Sequence, residues 1–304
     1  MRRGAGARTG TRLVCAVVAA ALAASCGGSD QQRAGKVILN RGSDTMINVA
    51  QAWAEAYAKA APDVSVEVAG GGSGVGIAAL IDGTVQMANS SRPMKSGERE
   101  AARKARGADP VQTVTGYDAL AVYVHKDNPL NGLTLSQMKA LFAERGAVER
   151  WSDLGISHPS CKRDRIIRIS RQSSSGTYDF FREVALGKTD FKLGTLELNG
   201  SKEVVELVAH TPCAIGYSGM GYATPGVKAL AIAPSDTAAA VAPTLSTTLD
   251  RTYPIARPLY VYTIGEPSGE TKRYMDWILS PAGQAIVQAV GYVPLKRADG
   301  EAHP

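Results

Sequence analysis

Histidine is scarce: the 304 residues hold four, at 125, 158, 210 and 303. His303 lies in the tail, and the other three fall in or beside turn-like stretches, with no sign of a group they would activate. Apart from one Cys/His arrangement weighed below, no His/Asp/Glu cluster has metal-ligand spacing. These absences argue against hydrolytic chemistry and imply no cofactor. The glycine-rich stretch Gly70-Gly-Gly-Ser73-Gly74-Val-Gly76 lacks the Lys-Ser/Thr ending of a phosphate-cradling nucleotide loop. It also lacks the acidic residue about 20 positions on that a dinucleotide site needs. Ser175 sits in Ser-Ser-Ser-Gly-Thr, which is not a nucleophile elbow. The excess of positive over negative charge is small as well, 34 Lys and Arg against 28 Asp and Glu. Four of the net six positive charges are Arg2, Arg3, Arg8 and Arg12, in a segment without acids. The near-neutral remainder gives no reason to expect a nucleic-acid partner.

Long apolar runs are also missing. The longest candidate, Leu13 to Leu22, is too short for a bilayer, which takes about 20 apolar residues. With arginines before it and Ala23-Ala-Ser-Cys26 after it, the run reads as an export signal over residues 1–25. The small tripeptide before Cys26 resembles a bacterial lipobox. Cys26 is therefore the expected lipidation site, with residues 26–35 as a polar tether. Cys15 leaves with the signal, so two cysteines remain, Cys161 and Cys213. In an oxidising compartment a disulfide is the default expectation. The rival is a tetrahedral zinc site built from His158, Cys161, His210 and Cys213.

No repeat period is present, and nothing beyond the tether is low in complexity. The chain alternates between the two hydrophobic periods. Strands are expected at Val37–Asn40, Val64–Val68, Val85–Ala88 and Val111–Thr115. Helices are expected from about Met46 to Ala60, from Gly74 to about Asp82, and over a charged stretch from Lys95 to Arg106. Ala119–His125 and Pro258–Thr263 are longer β-type runs that flank a second α/β block. That block holds a helix at Ser136–Glu144, an apolar run at Ile166–Ile169, helices at Thr177–Ala185 and Glu203–Ala209, and a strand at Ala214–Tyr217. Two helices, Thr271–Leu279 and Pro281–Ala289, follow. This alternation predicts an α/β fold with a largely parallel sheet covered on both faces, in two lobes joined by a hinge.

Ligands of such sheets bind beyond the carboxyl ends of the strands. Here those ends carry Ser43-Asp44-Thr45, the glycine-rich loop with Ser73 and Gly74, Ser90-Ser91, and Arg171-Gln-Ser-Ser-Ser175-Gly176-Thr177. Hydroxyls, free helical N–H groups and a forked cation together suit a small oxyanion.

The same motifs, in this order, resemble the phosphate-binding proteins of bacterial phosphate ABC transporters, the PstS family. Ala214-Ile-Gly216-Tyr-Ser and Leu133-Thr-Leu-Ser-Gln-Met-Lys-Ala-Leu-Phe142 followed by Trp151-Ser-Asp-Leu-Gly155 extend the likeness from about Val37 to Leu295. The resemblance implies a type II periplasmic-binding-protein fold with an interlobe cleft. Lobe one would be residues 36–117 with 258–304, and lobe two residues 118–257. It implies phosphate held by Ser43, Asp44, Thr45, Ser73, Gly74, Ser91, Arg171, Ser175, Gly176 and Thr177, with Arg171 as the contacting charge. It further implies a monomer, anchored by lipid on the periplasmic or outer face of the cell envelope, that delivers phosphate to a membrane permease. Two positions depart from the family pattern: Ser91 and Ser173 stand where relatives carry aspartates. Asp44 is then the expected acceptor of the phosphate's proton, the alternative being a cap on the helix that follows it. Arg92 reads as a surface charge, with a second cation at the rim of the site as the alternative. The alternatives are another oxyanion (sulfate, molybdate or tungstate) or a phosphatase-like member of the same fold.

Overall fold

A computed structural model describes residues 36–295. The signal segment, Cys26 and the tether lie outside the described residues. In chain order the elements are β1 (Lys36–Gly42), α1 (Ile47–Ala60), β2 (Val64–Ala69), α2 (Ser73–Asp82), β3 (Met87–Ser90), α3 (Ser96–Arg106) and β4 (Pro110–His125). There follow β5 (Gly132–Thr134), α4 (Leu135–Phe142), β6 (Ile167–Arg171), α5 (Gly176–Val184), β7 (Leu196–Leu198), α6 (Ser201–His210) and β8 (Ala214–Gly219). The chain continues through β9 (Val227–Ala229), β10 (Ala231–Ala233), α7 (Leu245–Leu249), β11 (Ala256–Ile264), α8 (Gly269–Leu279) and α9 (Pro281–Ala289).

Helix boundaries follow local chemistry. Thr134 caps α4 by accepting the Gln137 N–H, while the Gln137 side chain returns to the Thr134 N–H at 2.9 Å. Ser280 caps α9 ahead of Pro281. In α1, Val49, Ala50, Trp53 and Tyr57 fall on the buried stripe that a 3.6-residue period demands.

The main sheet runs β2-β1-β3-β11-β4-β8-β6-β7. Its two ends are parallel: β1 pairs with β2 and β3, and β6 pairs with β7 and β8. Its middle is antiparallel, with β11 against β3 and β4, and β4 against β8. The expected largely parallel sheet is therefore a mixed one. The reason lies in β4, where the sequence suggested two strands. Gly116, Tyr117 and Asp118 stay in the ladder because β11 pairs across them, with a bulge between Leu259 and Tyr260. One 16-residue strand results. It serves β11 up to Ala119 and β8 from Leu120 onward.

Each lobe has its own core. In one, Ile38, Trp53, Leu259, Tyr274 and Ile278 pack between the sheet and α1, α8 and α9, while Ile77, Leu80 and Tyr262 lie on the opposite face. In the other, Phe142, Trp151, Phe181 and Tyr217 form one core and Tyr123, Ile169, Val204 and Val208 a second. Phe181 of α5 stacks on Tyr217 of β8 with ring centroids 3.8 Å apart. That stack, with Ser170 Oγ 2.6 Å from the Tyr217 hydroxyl, fixes the turn from β6 into α5.

Cys161 and Cys213 are joined in a disulfide, with Cα atoms 5.0 Å apart. The zinc alternative falls with that bond, since the thiolates it needs are consumed. The histidines are also engaged elsewhere: His158 Nε2 donates to the Pro212 carbonyl and His210 Nδ1 to that of Glu206, both at 2.8 Å.

Candidate functional site

The parallel strands β1, β2, β3 and β6 all end toward one place, and each delivers hydroxyls there. Ser43 and Thr45 follow β1, Ser73 opens α2 after β2, and Ser91 follows β3. Ser175 and Thr177 flank the start of α5 after β6. All six are at most 3% exposed. Ser43 Oγ lies 3.0 Å from Ser91 Oγ, Ser73 Oγ lies 3.4 Å from it, and the Ser91 N–H donates to Ser73 Oγ at 3.1 Å. Across the two lobes, Thr45 Oγ1 and Thr177 Oγ1 are 2.7 Å apart. Ser175 caps α5 by accepting the Thr177 N–H at 3.2 Å.

Gly176 makes this convergence possible. A Cβ at that position would stand 2.3 Å from Ser73 Oγ and 2.7 Å from Ser91 Oγ. Only a residue without a side chain lets the N-terminus of α5 come so near. The first N–H groups of α2 and α5 have no carbonyl partner inside their own helices, and both helix starts point their positive ends at the hydroxyls. Hydroxyls bonded mainly to other hydroxyls are weakly satisfied for buried groups. The arrangement is rich in donors and suited to the oxygens of a small oxyanion.

Three of the expected residues have other partners. Asp44 stands at the cleft mouth, where Oδ1 accepts the Gly71 N–H at 2.8 Å and Oδ2 meets Arg171 Nη2 at 3.0 Å. Both oxygens are thus engaged away from the hydroxyls, which differs from the proton-accepting role expected of it. Arg171 is fully buried, and besides Asp44 it donates to Ser201 Oγ at 2.8 Å and to the carbonyls of Asn199 and Leu198. Burial pulls its pKa down against the opposing charge of Asp44, and a guanidinium stays charged regardless. Gly74 gives its N–H to the Ser174 carbonyl at 3.0 Å, and Ser174 Oγ donates to the Gly71 carbonyl at 3.1 Å. That loop closes on the other lobe so tightly that a Cβ on Gly72, whose φ is +97°, would lie 2.6 Å from Ser174 O.

Arg92 is not the surface charge expected. It is 5% exposed, bonds both oxygens of Glu98 at 2.7 and 2.8 Å, and pairs through Nε with Asp179 of α5 at 2.8 Å. Lys95 reaches the same Asp179 oxygen at 2.9 Å. The sequence gives Glu98 and Asp179 at helical spacing on their own helices but nothing that brings them together.

Arg257 and Asp118 belong to none of the motifs in the sequence. They face each other across β11 and β4, both essentially buried, with Arg257 Nη2 at 2.8 Å and Nε at 3.0 Å from Asp118 Oδ2. Asp118 Oδ1 accepts the Met220 N–H at 3.0 Å. Burial pushes the Asp118 carboxyl up, against the pull of Arg257. The guanidinium also donates to Thr177 Oγ1 at 3.0 Å, to Thr45 Oγ1 at 3.4 Å and to the Ser91 carbonyl at 3.2 Å. The signal available was the placement of opposite charges just before two β-type runs, and only the pairing register makes them neighbours.

Among the described residues no group of three or more His, Cys, Asp or Glu side chains is placed to hold a metal ion, and no helix is long and apolar enough to cross a membrane. An open hollow of about 570 Å³ lies at the cleft mouth, bordered by Arg41, Asp44, Gln172, Asn199, Lys202 and Tyr222.

Residues 27–282 match the model of the PBP superfamily domain. The chain is 38% identical over 264 residues to the phosphate-binding protein PstS of Pseudomonas aeruginosa, covering 84% of this chain and 81% of that protein. A structure from Clostridium perfringens with bound phosphate, described as a candidate phosphate ABC transporter substrate-binding protein, superposes with a TM-score of 0.74. It is 29% identical over 86% of this chain and 100% of its own. An ABC-type phosphate transport receptor from Vibrio cholerae superposes with a TM-score of 0.66 at 25% identity, over 84% of this chain and 99% of that one.

Proposed function

We propose, for a chain that belongs to the PBP superfamily and within it to the family of phosphate-binding proteins PstS, that it captures inorganic phosphate outside the cytoplasm and delivers it to the permease of an ABC importer. The observation that carries this reading is the buried convergence of six hydroxyls on two helix N-termini. Phosphate offers the acceptor oxygens those donors lack. Dehydration of the anion is offset by charge-assisted bonds, worth roughly 1.5–3 kcal/mol each. Ser43, Thr45, Ser73, Ser91, Ser175 and Thr177 grip it, with the N–H groups at Ser73 and Gly176. Gly74 and the Asp44–Arg171 pair hold the lobes together over it.

Residues 36–117 with 258–304, of which 296–304 lie outside the described residues, are assigned to lobe one and 118–257 to lobe two; the exchange of partners within β4 supports a boundary there. The protein acts as a monomer, anchored through a lipid on Cys26, with no reaction of its own. In support of binding without catalysis, Ser175 Oγ serves as a helix cap, and the bonds of His125, His158 and His210 lie with groups outside the hydroxyl cluster.

Thermal unfolding with phosphate, sulfate, molybdate and tungstate tests the ligand. Phosphate at a thousand times its Kd adds about 4 kcal/mol to the folded state, and the other anions should shift the midpoint less. A larger shift with another anion reassigns the ligand. Release of chromophore from a phosphate ester contradicts the binding-only role.

A further inference from the structure

The geometry points to Arg257, held by Asp118, as the cation that contacts the bound anion, with Arg171 as the tie that completes closure. This assignment rests on the oxyanion-binding reading above and names the charge within that site. Arg257 donates to three of the cluster residues, Thr45, Thr177 and Ser91. Arg171 bonds none of the six; its partners are Asp44, Ser201 and two carbonyls.

The donor inventory fits. Arginine has five N–H groups. In Arg257 the Nε–H and one Nη2–H go to Asp118, the second Nη2–H goes to the threonine hydroxyls, and one Nη1–H goes to the Ser91 carbonyl. The remaining Nη1–H has no acceptor among the described residues, so the fork has a donor left for an anion oxygen. The hydroxyls of Thr45 and Thr177, receiving bonds from Arg257, are polarised to donate onward. One face of the guanidinium lies over the Phe180 ring, 5.4 Å from its centroid, an apolar neighbour that strengthens its pull. As a stability device this pair is poor, because a buried ion pair often does no better than apolar residues of the same volume. Its position explains it better: it sits where β4 and β11 run side by side between the lobes.

The two arginines then have different duties. Arg257 sits on the strands that join the lobes, already bonded to hydroxyls of the cluster. Arg171 and its partner Asp44 lie on opposite lobes, so their bond forms only on closure.

The test compares paired removals, which avoid leaving one buried charge alone. Phosphate, sulfate and arsenate are titrated calorimetrically into wild type, D118A/R257A, D44A/R171A and R257K, with thermal unfolding as the check on folding. D118A/R257A should bind the wild-type ligand at least a hundredfold more weakly and D44A/R171A about tenfold more weakly. R257K, which keeps the charge without the fork, should fall between wild type and D118A/R257A. Wild-type affinity in R257K and D118A/R257A, or a greater loss in D44A/R171A, overturns the assignment while leaving the binding function intact. If D118A/R257A does not fold, R257K decides: affinity within twofold of wild type refutes the contact. Absence of binding by wild type to every anion overturns both this assignment and the function it rests on.

Discussion

A methyl group at position 176 would overlap Ser73 Oγ and Ser91 Oγ, and those contacts exist only when the two lobes meet. Gly176→Ala is therefore expected to block closure rather than folding. Phosphate affinity should fall at least tenfold, while unfolding without ligand stays the same or rises by less than about 1 kcal/mol from better helix propensity. Calorimetric titration paired with thermal unfolding checks both halves, and an unchanged affinity would show that α5 does not abut the ligand. At this scale the sequence was informative about which residues are small and polar at strand ends, because Ser, Thr and Gly clusters in an α/β chain mark the loops that face a ligand. It was silent on where each side chain turns. Asp44 looked like part of the anion loop and is instead tied to Gly71 and Arg171. Arg257 adjoined a β-type run and reaches the hydroxyls only through long-range pairing.

The rim of the cleft shows how one helix start carries a cross-lobe contact. Glu98 in the first turn of α3 accepts the Lys95 N–H at 2.8 Å and grips Arg92, which holds Asp179 of α5. Burial alone would raise the Glu98 carboxyl, yet its bonds to Arg92 and to the Lys95 N–H outweigh that and hold it below the usual range. A carboxylate whose folded pKa is depressed contributes stability that is complete above its ordinary value near 4.3. That contribution fades as pH falls through the lower folded value. Wild type should therefore lose stability on acidification below about pH 4 more steeply than Glu98→Gln, measured as thermal midpoint against pH. Parallel curves would mean that Glu98 adds nothing at that helix start. The existence of α3 was readable from its charged helical pattern, and so were α1, α8 and α9 from their apolar stripes. The three-residue strands β5, β7, β9 and β10 were not, since segments so short carry no period and are defined by the neighbour they pair with.

At the scale of the molecule, alternating strands and helices were enough to foresee two α/β lobes. The antiparallel centre was not foreseeable, because it depends on Gly116 to Asp118 staying extended while β11 returns beside them. That centre matters for function: the strands that join the lobes also present the buried Asp118–Arg257 pair to the hydroxyls. Whether the buried hydroxyls hold the anion is decided by a structure of the protein with bound inorganic phosphate. The anion is expected inside the cluster, its oxygens at roughly 2.6–3.1 Å from hydroxyls of both lobes and from the first N–H of α5. Phosphate lodged instead in the open hollow beside Asp44 and Lys202, with the buried hydroxyls still bonded to one another, would contradict it.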